Sequence, residues 1–190
     1  MKQIICFSFQ SDTSCLKNIR SVSNGKGFFC VLLNQKNGCA TFTYFFDNIK
    51  NLIYKGGLHQ PGSKDFISDE NLFNYQAKVV NDLAEKESCV IVGRCVNYVF
   101  KDRPNTLRVF IHAPWEFRVE KASEKISGSR EDVEKFLLKD DKRKQDYYRK
   151  FAGGIWNDAT NYDLCLNSGK LGFEKCVDAI EAQLKIMLNK

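Results

Sequence analysis

Apolar residues fall along this chain in two rhythms. Short unbroken apolar runs at 2–9, 88–92, 106–112 and 162–166 read as strands buried on both faces of a parallel sheet, because a half-exposed strand would alternate. The stretches between them keep helical spacing. Residues 70–86 carry Leu72, Phe73, Tyr75, Gln76, Val79, Val80 and Leu83 three to four apart, and Pro114 suits the first turn of a helix running toward Ile126. Ser129-Arg130-Glu131-Asp132 reads as an N-cap with an acidic first turn. It opens a long helix to about residue 151, which Gly153-Gly154 end. A last helix over 173–188 sets Val177, Ile180, Leu184 and Met187 on one stripe. Strands alternating with helices from residue 70 onward imply right-handed crossovers and an α/β sheet.

Residues 20–68 follow a different pattern. The runs 28–33 and 39–46 flank Asn34-Gln35-Lys36-Asn37-Gly38, which predicts a β-hairpin with a glycine-containing loop. Residues 56–64 read as a surface loop. A chain of 190 residues suffices for one α/β core, so 1–190 is read as a single domain in which 20–68 is the divergent region.

Composition narrows the class. Hydrophobic residues at 43% and aromatics at 13% support a packed core, and no run approaches the 18 or more apolar residues of a membrane span. The apolar start is too short for a signal peptide and lacks a small-residue cleavage site, which places the protein in the cytoplasm. Of eight cysteines, Cys6, Cys30, Cys89 and Cys165 lie inside apolar runs with no CxxC pair, and they read as reduced core residues. With only His59 and His112 and no Cys/His cluster, no metal ligands are assigned, and His112 reads as a strand-end residue.

Charge points to an anionic partner. The net charge is +6, and Lys139, Lys142, Arg143, Lys144, Arg149 and Lys150 concentrate part of it in 139–150. Nucleotide phosphates and nucleic acid both fit such a segment, but the interspersed Asp140, Asp141 and Asp146 blunt the field a nucleic acid would need, so nucleic acid is set aside. The sharper signal is Val90-Ile91-Val92-Gly93-Arg94. Ligands of parallel sheets sit at the carboxyl ends of strands, and Arg94 follows such an end. Its planar fork suits a phosphate, and the missing Cβ of Gly93 lets a ligand approach the backbone. The competing reading is an arginine that caps or pairs locally.

Three segments, 73–100, 141–148 and 156–172, resemble the cytidylate kinase-like proteins, a P-loop group related to nucleoside monophosphate kinases. They contain Cys89-Val90-Ile91-Val92-Gly93-Arg94-Cys95, then Asp141-Lys142 with Tyr147-Tyr148. Trp156-Asn157-Asp158 and Asn161-Tyr162-Asp163-Leu164-Cys165-Leu166-Asn167-Ser168 follow. The resemblance spans roughly 70–188. It implies a three-layer P-loop-kinase-like α/β domain with a mainly parallel sheet and an atypical N-terminal third. It also implies ATP-dependent phosphoryl transfer to a nucleoside monophosphate such as CMP, with a nucleoside triphosphate and Mg²⁺ as donor and cofactor and no membrane partner. Under it Gly93 and Arg94 contact the acceptor, and Arg118 is a further phosphate-facing arginine. Lys142 and Arg143 are catalytic cations on a lid-like helix. Lys144 stands where the family commonly has an arginine, which keeps charge but loses the bidentate fork. Asp163 reads as a structural hydrogen-bonding aspartate, and Tyr147, Tyr148 and Trp156 read first as core fillers, with stacking on a base as the alternative.

The first loop departs from the family. A phosphate-binding loop needs glycines after the first strand so that backbone N–H groups turn inward. Here the strand leads into Gln10-Ser11-Asp12-Thr13-Ser14-Cys15-Leu16-Lys17. Thr13, Ser14 and Lys17 remain as donors in a degenerate loop, while Asp12 would repel a triphosphate. Gly57-Leu58-His59-Gln60-Pro61-Gly62-Ser63-Lys64 mimics the glycine motif but has Ser63 where lysine belongs. The sequence therefore predicts a kinase-like protein whose transfer activity is low or lost. The alternative is a catalytically silent descendant that binds a nucleotide or a protein.

Overall fold

In the computed structural model, residues 4–9, 29–32 and 68–188 are described. The apolar runs form β1 (Ile4–Phe9), β2 (Phe29–Leu32), β3 (Cys89–Val92), β4 (Thr106–His112) and β5 (Leu164–Asn167). They lie in the order β2-β3-β1-β4-β5, and every neighbouring pair is parallel. In register, Ile4 faces Cys89 and Thr106, and Val109 faces Leu164. All five carboxyl ends therefore open on one edge of the sheet. Because β3 and β4 flank β1 on opposite sides, the ligand crevice of such a sheet falls above the carboxyl end of β1.

Helices cover both faces. The described helices are α1 (Asp69–Lys86), α2 (Val96–Val99), α3 (Trp115–Ser123), α4 (Arg130–Ala152), α5 (Ser168–Leu171) and α6 (Phe173–Leu188). On one face Ile5, Val90, Leu107, Val109, Ile111 and Leu166 pack against Cys176 and Ile180 of α6. On the other, Ile4, Cys6, Cys89 and Ile91 pack against Val80 and Ala84 of α1, Val96 of α2 and Phe100. Strand alternation thus divides the two buried sets, and the result is a three-layer α/β sandwich. None of the described helices is long and apolar enough to cross a membrane.

Helix α4 bridges two environments. Its amino-terminal part packs Val133 and Leu137 on Val119 and Ala122 of α3, a small core of its own. Its carboxyl-terminal part returns to the sheet, where Tyr148 joins Cys95, Phe110, Trp156 and Tyr162. The helix starts at a capping box in which Ser129 Oγ accepts from the Asp132 N–H and the Ser129 N–H donates to the Asp132 carboxylate. It stops at Gly153, whose φ of 70° is the left-handed value that glycine adopts without Cβ strain.

Several local expectations shift. Phe29–Leu32 is a strand, but its described partner is β3 in parallel, so this segment extends the α/β sheet. The second arm of the predicted hairpin lies outside the described residues. Cys165 is exposed, not core, because the inward-facing side chain of β5 at this point is Leu166. On α6 Cys176, not Val177, is the buried member of the stripe with Ile180, while Leu184 and Met187 pack beside them. Pro114 occupies the cap position just before α3. Its extended backbone leads from β4 into the helix.

Candidate functional site at the carboxyl edge of the sheet

The β3 run ends in a turn that few sequences adopt. Gly93, Arg94 and Cys95 have φ values of 80°, 56° and 56°. Left-handed backbone costs a non-glycine residue roughly 1–2 kcal/mol, so two such residues in succession need support. Cys95 is buried in the aromatic cluster, its carbonyl accepts from Tyr98 and Val99, and the Gly93 carbonyl accepts from Val96. The turn is held by the start of α2, and it carries Arg94 past the carboxyl end of an interior strand. Strain concentrated at such a point is characteristic of ligand clamps.

Arg94 reaches helix α4. Its guanidinium lies over the Tyr147 ring, 5.3 Å from the centroid. The Tyr147 hydroxyl donates to Gln76 Oε1 of α1 at 3.3 Å. Burial raises the Tyr147 phenol above its ordinary pKa, with the Arg94 charge pulling the other way. The neighbouring Tyr148 turns inward instead, and its hydroxyl accepts from Asn97 Nδ2 at 3.0 Å. Trp156 Nε1 donates to Ser8 Oγ on β1, and the Tyr162 hydroxyl donates to the Trp156 carbonyl. These aromatic side chains form a buried cluster beside the turn after β3. The buried Cys95 thiol is pushed up to about 12 by desolvation, which leaves it protonated and unreactive at neutral pH.

Cations of α3 and α4 are paired with two adjacent carboxylates. Arg118 of α3 is only 5% exposed, stacks over Trp115, and pairs with Asp141 Oδ2 at 2.6 Å. Asp140 pairs with Arg143 at 2.6 Å and Lys144 at 2.7 Å. Burial pushes the Asp140 carboxyl up, but Lys144 and Arg143 outweigh it and hold it below its ordinary range. Lys144 also lies over the Trp156 ring, which ties the middle of α4 to the aromatic cluster. Lys142 is exposed beside them. Arg118 meets α4 at residue 141 and Arg94 meets it at residue 147, about 9 Å apart along the helix at 1.5 Å per residue.

Asp163 has a structural setting. It accepts from Arg108 Nε at 3.0 Å, Arg108 Nη2 at 2.6 Å and the Arg108 backbone N–H at 2.8 Å, and its own N–H returns to the Arg108 carbonyl. This clamp fixes the start of β5 against β4. His112 ends β4, and its carbonyl accepts from Ser168 Oγ. Thr13, Ser14 and Lys17 lie outside the described residues.

The order of these elements along the chain can be set beside known proteins. The sequence profile of the Cytidylate kinase-like family matches residues 33–170. The chain belongs to the cytidylate kinase-like family. The match takes in Gly93, Arg94, Arg118, Lys142 and Arg143, and it also runs through 33–68, most of the stretch that the sequence reading set apart as divergent. Among solved structures, an uncharacterized protein from Eubacterium ventriosum ATCC 27560 superposes with a TM-score of 0.73 and 19% identity. That alignment covers 97% of this chain and 99% of the other. Shikimate kinase from Bacteroides thetaiotaomicron superposes with a TM-score of 0.54 and 12% identity over 96% of this chain and 98% of its own. Both show the fold, the α/β sandwich of P-loop kinases. No curated protein matches the chain in sequence.

Within this kinase-like fold, sequence reasoning passed over Gln76 and Asn97, and it considered Tyr147 for a base and not for its contact with Arg94. Tyr147 and Tyr148 form one motif in the sequence, yet a step of one residue on a helix turns the side chain by about 100°. One tyrosine goes to the core and its neighbour to Arg94. The polar Gln76 inside an otherwise apolar helical face was the available signal.

Proposed function

We propose that this cytidylate kinase-like protein binds a nucleoside monophosphate such as CMP at the carboxyl edge of its sheet, with Arg94 on the phosphate, and that its phosphoryl transfer from ATP is low or lost. The observation that carries the reading is the left-handed Gly93-Arg94-Cys95 turn at the end of β3, which puts an arginine just past the carboxyl end of an interior strand, where parallel sheets bind ligands. Lys142 is exposed on α4, while Arg118 and Arg143 are paired with Asp141 and Asp140 and would have to exchange those partners to meet a phosphate. A guanidinium binds phosphate through two parallel hydrogen bonds, so a fixed arginine gives orientation as well as charge.

The donor half has weaker chemistry. Mg²⁺ bound with ATP would neutralise charge on the transferring phosphates, and Arg143 and Lys144 on α4 fit that charge. The loop after β1 does not, since 10–17 contains no glycine and backbone amides are the usual cradle. The reading therefore gives the chain the acceptor half of the reaction and no transfer step. The same loop favours a silent binding descendant over a working transferase. Residues 1–190 act as one domain in this reading, and the cytoplasm is where both nucleotides would be met.

Isothermal titration with CMP, with ATP and with both, each in Mg²⁺, tests the proposal. Binding of CMP with little or no binding of ATP is expected. Absence of CMP binding overturns the acceptor assignment. Turnover of CMP at tens per second, within the roughly 1–100 s⁻¹ of working kinases, overturns the reading of the first loop and makes Thr13, Ser14 and Lys17 an unorthodox cradle.

A further inference from the structure

Arg94 is held by more than its own turn. The Tyr147 ring beneath it is fixed by two phenylalanines: Phe151 at 4.6 Å between centroids and Phe73 at 6.5 Å edge-on, themselves stacked at 4.5 Å. The Tyr147 hydroxyl donates to Gln76 Oε1, and Gln76 is 9% exposed. The ring thus has little freedom to rotate, and its hydroxyl is anchored on a buried acceptor. The negative face of an aromatic ring attracts a guanidinium, more strongly when water is partly excluded. An arginine side chain loses considerable rotamer freedom on binding a phosphate, and a surface that already restrains it lowers that cost.

We propose that Tyr147 is a positioning residue for the acceptor site, which holds the Arg94 guanidinium toward the phosphate of a nucleoside monophosphate through its ring face, itself fixed by the hydroxyl's bond to Gln76. The inference rests on the acceptor reading given above and adds a residue which that reading did not include. It assigns the two tyrosines of the Tyr147-Tyr148 pair separate tasks. Tyr148, bonded to Asn97 in the aromatic core, supports the fold. Tyr147 supports Arg94.

Two measurements test it. Tyr147→Phe removes the hydroxyl and keeps the ring, and a series of progressively fluorinated phenylalanines at position 147 then keeps the ring's shape while draining negative charge from its face. CMP affinity is expected to fall about two- to fivefold on Tyr147→Phe and by a further fivefold or so across the fluorinated series, the scale of a partly desolvated cation–π contact. A purely structural ring would leave affinity flat across that series. The second measurement needs no nucleotide. The Arg94 Nε–Hε resonance of the ligand-free protein is expected to move on Tyr147→Leu, because the ring current is lost. An unmoved resonance together with a flat fluorinated series overturns the inference. If CMP fails to bind the unaltered protein, the acceptor reading falls, and the resonance alone decides whether Tyr147 holds Arg94.

Discussion

Two arginines, one within a parallel strand and one just past the end of another, sit in opposite settings in this molecule. Arg108 on β4 is clamped by Asp163 through two guanidinium bonds and a backbone bond at the start of β5. Arg94, just past the end of β3, sits on a left-handed turn and meets an aromatic ring. The clamp joins neighbouring strands and places its charge where it serves the sheet. The turn carries its charge to the sheet edge where a parallel fold binds ligands, at a cost in backbone strain. In the sequence Asp163 already reads as a structural aspartate, and the geometry adds its partner, Arg108 on the neighbouring strand.

The comparison is most easily broken by exchanging which of the two arginines matters. Arg94→Ala is expected to weaken CMP binding by about thirtyfold or more, the loss of hydrogen bonds to a charged group, with little change in melting temperature. Calorimetric titration beside thermal denaturation checks both halves. Asp163→Ala should do the reverse. It removes the clamp and is expected to cost on the order of 1–2 kcal/mol of stability, reduced by the partial exposure of the pair, while CMP affinity stays within about twofold. Chemical denaturation gives the first quantity.

Acid sharpens the same contrast. Burial pushes the Asp163 carboxyl up, but the hydrogen bonds from Arg108 outweigh it and hold the carboxyl below its ordinary range. A carboxyl with a depressed folded-state pKa stabilises the protein above the unfolded value, near pH 4, and that stability is lost as pH falls through the folded value. Stability should therefore drop below about pH 4, and Asp163→Asn should flatten the drop in a pH series of denaturation curves. A variant that leaves the curve unchanged would show that Asp140, which is depressed in the same direction by Lys144 and Arg143, carries the dependence instead. The smallest effect concerns strain. Arg94→Gly and Arg94→Ala both lose the guanidinium, but glycine tolerates a φ of 56°, so the glycine variant should be more stable by about 1 kcal/mol.

Much of the fold was legible because it follows from local pattern. The unbroken run before Gly93 gave β3, the Ser129–Asp132 cap gave the start of α4, and Gly153 gave its end. Partners were harder to read. Phe29–Leu32 was visible as a strand, but a strand's own residues do not say whether its neighbour lies nearby in sequence or at Cys89–Val92 in parallel. The position of Arg94 just past the end of β3 was legible, because one residue and its strand end suffice for that. The site was not legible where a side chain's task depends on a residue far along the chain. Arg118 is buried on Asp141, 23 residues away, and nothing in the 118 neighbourhood announces that pairing. Tyr147 and Tyr148 differ only in helical phase, which needs the position of the sheet to interpret.

The central claim is that Arg94 contacts the acceptor's phosphate, and the most direct test compares CMP with cytidine, which lacks that phosphate. Both ligands are titrated into the unaltered protein and into Arg94→Ala. CMP should bind the unaltered protein far more tightly than cytidine, and the ratio should fall close to one in the variant. An equal ratio in the two proteins would contradict the claim and return Arg94 to the role of a local structural arginine.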